Sequence, residues 1–171
     1  ESADTTLLLV TLSLPKRGLT FVHEGDHYRG AYDVMIDARR NGTSVRRTQG
    51  RQTVRVASYR ETSRGDESLI FQQYLRLSPD SYTLNLTVRD AESGRTTTRD
   101  FPVTVSRIDP AGASSAVAVY EADARMRRDT LPSLVPNPRA AAVFGQDTAM
   151  FVYVERYGGQ GPVQAEVRDA N

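Results

Sequence analysis

The chain contains two histidines, four residues apart, in His23-Glu24-Gly25-Asp26-His27. The letters match HExxH, in which two histidines one helical turn apart bind zinc and the glutamate activates the metal-bound water. That chemistry needs a helix. Here the five residues include Gly25-Asp26 and lie between an extended Leu19–Val22 and a strand beginning at Tyr28, so the sequence reads as an exposed turn. The expected metal set is none, and a zinc-dependent hydrolase using His23, His27 and Glu24 is the alternative reading.

Other catalytic constellations are missing from the sequence. There is no cysteine, hence no thiolate nucleophile, no disulfide framework and no cysteine-bound zinc. No Gly-x-Ser-x-Gly elbow or Gly-x-x-x-x-Gly-Lys phosphate loop occurs. Asp33, Asp37, Asp90 and Glu92 read as solvated strand faces and turn caps, because paired catalytic carboxylates need a cleft that a small sandwich seldom supplies. The expectation is a non-enzyme with no catalytic residues and no cofactor.

Charge is balanced: 22 basic against 21 acidic residues leave +1, which gives no long-range pull on nucleic acid. Lysine occurs once, at Lys16, so 22 − 1 = 21 of the bases are arginine. Arg46, Arg47, Arg51 and Arg55 fall in one strand, with Arg60 and Arg64 in the following loop. Arginine pairs bidentately with carboxylate and phosphate, so the four strand arginines are candidate partner-binding residues. The competing reading is arginine standing in for lysine throughout the chain. Pro132, Pro136, Pro138 and Arg139 are further candidates, as an extended arm along a partner. Their competing reading is a connection inside a second module.

These residues are carried by an all-β chain of 171 residues. Leu8, Val10, Leu12 and Leu14 alternate along a first strand that Pro15 ends. Lys16–Asp26 reads as a connection. Tyr32, Val34, Ile36 and Ala38 share one face of a strand from Tyr28 to Arg40. Asn41-Gly42 is the preferred pair for a tight hairpin loop, and the return strand covers about Ser44–Ala57 with Val54 and Val56 inward. Tyr59–Glu67 reads as a loop. Leu69, Phe71, Leu75 and Leu77 mark a strand that alternates imperfectly around Gln72-Gln73. After the turn Ser78-Pro79-Asp80-Ser81, Tyr82, Leu84, Leu86 and Val88 alternate cleanly, and Phe101, Val103 and Val105 mark the next strand. Ile108–Ser115 has linker composition. Beyond it the sequence predicts strands at Val117–Tyr120, Met150–Tyr157 and Val163–Val167, with the prolines of Leu131–Arg139 interrupting regular structure.

The run from Leu77 to Asp90 resembles the late strands of bacterial immunoglobulin-like and fibronectin-like sandwiches, where a tyrosine after a Pro-containing turn ties a corner. Leu19–Val22, Gly25–Tyr32, Tyr59–Ser63, Val88–Asp90 with Ser93–Arg95, and Val135–Pro138 are similar in order to the N-terminal region of GWxTD-domain proteins. Those are exported bacterial proteins. The naming motif requires tryptophan and this chain has none, so the resemblance implies the sandwich and an exported location only.

The resulting expectation is an immunoglobulin/fibronectin-like antiparallel β-sandwich at 1–107. A linker and second β module, incomplete or partner-dependent, follow at 108–171. Glu1-Ser2-Ala3-Asp4 carries no basic, apolar leader, so the chain is either cytoplasmic or already processed; the resemblance implies the second, a mature periplasmic or extracytoplasmic chain. No run is long and apolar enough to span a membrane. The expected function is a non-catalytic cell-envelope interaction module, sharpened to an accessory scaffold subunit of a membrane-associated complex. A photosynthetic reaction-centre and light-harvesting assembly is one host of that kind. A carbohydrate-binding sandwich is a further alternative, which would need aligned exposed aromatics where most tyrosines fall on inward faces.

Overall fold

The computed structural model describes residues 5–64, 68–123, 125, 127, 130–137, 149, 151–158 and 166. The elements follow as β1 (Thr6–Pro15), a single 3₁₀ turn (Lys16–Gly18), β2 (Val22–Glu24), β3 (His27–Arg40) and β4 (Thr43–Val56). Then come a one-turn helix α1 (Tyr59–Thr62), β5 (Ser68–Leu77), β6 (Asp80–Asp90) and β7 (Thr96–Val105). The last three are β8 (Val117–Asp123), β9 (Ser133–Pro136) and β10 (Phe151–Tyr153). The fold is all-β and sandwich-like, and its strands pair antiparallel. No helix among the described residues is long and apolar enough to cross a membrane.

Strand β3 organises the larger layer. β4 pairs with it from Tyr28 to Arg40, and the opposite side is shared between β2, at the start, and β6, which covers Tyr32 to Arg39. β7 continues the sheet beyond β6. The second layer holds two strands, β1 and β5, in register from Thr6↔Leu77 to Pro15↔Ser68. Tyr32, Val34, Ile36 and Ala38 of β3 meet Val10, Phe71, Leu75 and Leu77 from that layer, with Tyr82, Leu84, Leu86 and Val105 completing the buried core. Period-two alternation causes this directly, since it gives each strand one apolar face. The alternation in β5 is unbroken: Gln73 takes an inward position opposite Val10, and its side-chain amide donates to the Tyr74 carbonyl at 3.2 Å.

Turn chemistry sets the register. Asn41 and Gly42 both have positive φ, 50° and 80°, the requirement of a type I′ loop whose twist matches the flanking strands. A bulge then shifts the β3–β4 register between Ala38 and Arg39. Past it, Gly50 faces the core and lies under the Phe71 ring, which is 3.1 Å from where a β-carbon would stand. At the other end of the core the Tyr82 hydroxyl donates to the Ser78 carbonyl at 2.8 Å, tying the β5–β6 corner as the Pro-containing turn predicts.

The third sheet, ordered β10-β8-β9, revises two expectations. The segment with linker composition is held in place: Ser114 N–H donates to the Glu155 carbonyl at 2.8 Å, and Tyr157 N–H to the Gly112 carbonyl at 2.9 Å. The proline-rich segment does not interrupt regular structure. Ser133–Pro136 is an edge strand, where a proline without an N–H is tolerated because its outer side needs no ladder bond. Two smaller differences are that α1 forms one helical turn inside the expected loop, and that β2 lies inside the expected Lys16–Asp26 connection. The expected strand at 163–167 lies outside the described residues apart from Glu166. The Tyr74 hydroxyl, on the outer face of β5, donates to the Pro132 carbonyl at 3.0 Å and so joins this sheet to the two-stranded layer.

Replacing Tyr82 by Phe keeps the ring in the core and removes only the corner bond. The expected loss is about 1 kcal/mol, read as a lower urea midpoint with unchanged slope. An unchanged midpoint would show that the corner does not depend on this hydroxyl.

Candidate functional site

The histidine pair occupies a two-residue hairpin in which Gly25 alone has positive φ, 64°. Glu24 stands directly opposite His27, so those two share a face, while His23 stands opposite Tyr28 and projects from the other. The hairpin therefore separates the two imidazoles that a zinc site would need together. His27 is engaged on both nitrogens, Nδ1 to Asp26 at 3.0 Å and Nε2 to Glu24 at 3.2 Å. Among the described residues no group of three His, Cys, Asp or Glu is placed to hold a metal ion. His23 instead begins a short aromatic row: its ring centroid is 4.9 Å from Tyr28, which is 5.9 Å from Tyr59. Tyr59 is exposed, unlike the inward Tyr32 and Tyr82.

The strand arginines divide by face. The shifted register sets Arg47 opposite Asp37, Arg51 opposite Asp33 and Arg55 opposite Arg29, all on the outer face of the large sheet. Arg46 stands opposite Ala38 on the other face. Two members of the expected basic patch are neutralised. Arg51 pairs with Asp33 at 3.2 Å and Arg47 with Asp37 at 3.1 Å, while Arg55 and Arg46 remain exposed.

Asp37 is the centre of this face and has no exposed surface. Its carboxylate accepts from Arg39 at 2.8 Å, from Arg47, and from the Ser44 hydroxyl. Burial alone would raise its pKa, but the hydrogen bonds from Ser44, Arg39 and Arg47 and the charge of Arg47 outweigh it and bring the value to about 2. The sequence pattern places Asp37 on a solvated strand face, whereas the structure buries it. The available signal was Arg39 two residues on and an arginine-rich return strand, but the bulge that selects Arg47 left no mark in composition.

The remaining carboxylates are tied separately. Asp90 accepts the backbone N–H of Thr20 at 2.8 Å and of Glu92 at 3.0 Å, fastening the β6–β7 hairpin to the segment after the 3₁₀ turn. Desolvation opposes its ionisation, and hydrogen bonds from Ser93 and Thr20 hold its pKa well below the usual carboxylate range. Glu92 pairs with Arg29 at 2.7 Å. In the third sheet Glu155 accepts from the Tyr153 hydroxyl at 2.7 Å and the Tyr157 hydroxyl at 2.9 Å, and pairs with Arg125. Burial, then the Glu155 hydrogen bond and charge, push the Tyr153 phenol up.

The proline candidates take internal positions. Pro136 is buried at the end of β9, and the carbonyl of Pro132 receives Tyr74. Pro138 and Arg139 lie outside the described residues. The same sheet carries exposed apolar side chains that composition could not locate. Phe151 is 56% exposed and Val152 55%, with Leu131 and Val135 also exposed. No family model, curated protein or solved structure matches this chain.

Two outcomes follow. Purified protein incubated with zinc and desalted should retain well under one equivalent by mass spectrometry, and stoichiometric zinc lost in His23→Ala would overturn the hairpin argument. Because the folded pKa of Asp37 lies below its ordinary 3.8, its contribution is present above that value and is lost as pH falls toward 2. The expected loss is about 1–2 kcal/mol, discounted because solvent reaches the arginines that hold the carboxylate. Urea unfolding across that range should show the decline, and Asp37→Asn should be less stable at pH 7 with a flatter acid limb.

Proposed function

We propose that the chain is a non-catalytic interaction module of the bacterial cell envelope. In this reading it is an accessory scaffold subunit on the extracytoplasmic side of a membrane-associated assembly. The observation that carries the reading is the third sheet. Three short strands bury little apolar area, and such a sheet is marginal unless another surface covers it. Here β10 leaves Phe151 exposed on one face of the sheet and Val152 on the other, and Val135 of β9 is exposed as well, so a sheet that buries little leaves apolar surface for a partner protein to cover. Support for the location is the order of segments that resembles the N-terminal region of exported GWxTD-domain proteins.

The carboxylates add support by their engagement. Asp33, Asp37, Asp90, Glu92 and Glu155 each hold a strand, turn or arginine in place. Asp37 and Asp90 are in addition held well below the usual carboxylate range by their hydrogen bonds, which suits them poorly to proton transfer near neutral pH.

The test is affinity capture from native membranes with quantitative mass spectrometry, comparing the full chain with a Phe151→Ser, Val152→Thr variant. The expected result is a defined set of proteins retained by the first and reduced at least about tenfold for the second, a loss equivalent to about 1.4 kcal/mol. A chain that returns alone, folded and monomeric would remove the reading.

A further inference from the structure

We infer that the groove between β1 and β7 is a docking site for an extended acidic strand segment of a partner protein. The inference rests on the interaction-module reading and adds the site and the partner chemistry.

The two layers are unequal. The large sheet runs β4-β3-β6-β7, but only β1 and β5 lie over it. Phe71 of β5 lies on Gly50 of β4, so the small layer sits toward the β4 side and its β1 edge faces β7. By register with Leu84, Leu86 and Val88, the residues Phe101, Arg99 and Thr97 of β7 are on the core-facing side of their sheet. Phe101 is nonetheless 45% exposed, because no strand among the described residues lies over it.

The opening is a cavity of about 510 Å³, within the range of sites that hold ligands. Its walls include Leu12, Leu14, Leu86, Val88, Arg99 and Phe101. Ser13 lines it as well, although it alternates with Leu12 and Leu14, so the groove follows the backbone edge of β1 as well as its inner face. Farther along, at the start of β1, the Thr6 hydroxyl donates to the Ser106 carbonyl just after β7 at 2.8 Å and bridges the two segments.

Two features select the occupant. First, among the described residues β1 pairs only with β5 and β7 only with β6, so each has a free edge beside the groove. Unpaired strand N–H and C=O groups are satisfied by another strand, with alternate side chains entering the groove. The second is charge. Arg99 is exposed within the groove and makes no ion pair among the described residues, whereas nearby Arg95 lies 3.6 Å from Asp90 and donates to the Gly18 carbonyl. A strand carrying one carboxylate between apolar side chains meets both the arginine and the Leu14, Val88 and Phe101 walls.

The probe is a fluorescein-labelled ten-residue peptide alternating valine and threonine, with glutamate in place of one central valine, and a sister peptide with lysine there. Fluorescence anisotropy on the full chain should show the glutamate peptide binding about tenfold tighter, Arg99→Glu should reverse the order, and Phe101→Ser should weaken both. Hydrogen exchange should slow at Leu12–Leu14 and Arg99–Phe101, and urea unfolding verifies that both variants are folded. Equal affinity for the two peptides, or protection confined to β8–β10, would overturn the inference. So would a sedimenting dimer of the chain alone with these amides already protected, which would make a second copy the occupant. Capture through Phe151 and Val152 is read separately, so failure here and failure of the module reading are distinguishable.

Discussion

Strand β3 is closed on both faces, and the rest of the structure adjusts to that. Its inward face buries Tyr32, Val34, Ile36 and Ala38 against the small layer, and its outward face buries Asp37 completely. A carboxylate without solvent is costly unless hydrogen-bond donors, preferably charged ones, surround it. Ser44, Arg39 and Arg47 supply them, and two of the three come from the β3–β4 hairpin's return strand. The hairpin loop, its bulge and the arginine pattern of β4 are therefore one solution to one electrostatic requirement.

The bulge makes that solution work. A two-residue loop pairs Arg40 with Thr43, and unbroken counting back from it would bring Arg46 opposite Asp37. The observed shift brings Arg47 there instead and leaves the bulged Val45 exposed. The same one-residue step places Gly50, Val54 and Val56 on the core side, since slipping a strand by one exchanges its faces. Charge pairing outside and apolar packing inside thus agree on a single register. The arginine-rich strand presents a polar face on which Arg47 and Arg51 are paired with carboxylates, while Arg55 stands opposite Arg29.

The layers divide the molecule's duties. Where β5 and β1 cover the large sheet, the core is buried and apolar. Where they stop, β7 is uncovered and two strand edges face the same opening. On the other side of the small layer, Tyr74 reaches Pro132 and holds the third sheet by a side-chain bond, and Glu155 gathers Arg125, Tyr153 and Tyr157 to brace it. The well-packed centre and the incompletely covered margins belong to one architecture. In the proposed reading, the margins are where other proteins attach.

The positions of β1 and of β3 to β8, the Asn41-Gly42 loop, the Tyr82 corner and the inward residues of β1, β3 and β6 were legible in the sequence, whereas β2 and β9 were not. Each depends on neighbours along the chain: alternation sets a strand's faces, and φ preference sets a turn. The sequence also argued against a helix around His23 and His27. Other features were decided only by tertiary structure. They include which arginine meets Asp37, how residues 112–114 join 155–157, that Pro136 ends an edge strand, and that Phe101 lies uncovered beside a free edge. These depend on register shifts and on how many strands lie over each sheet. Those quantities are set by contacts between segments distant in sequence, and no local pattern encodes them.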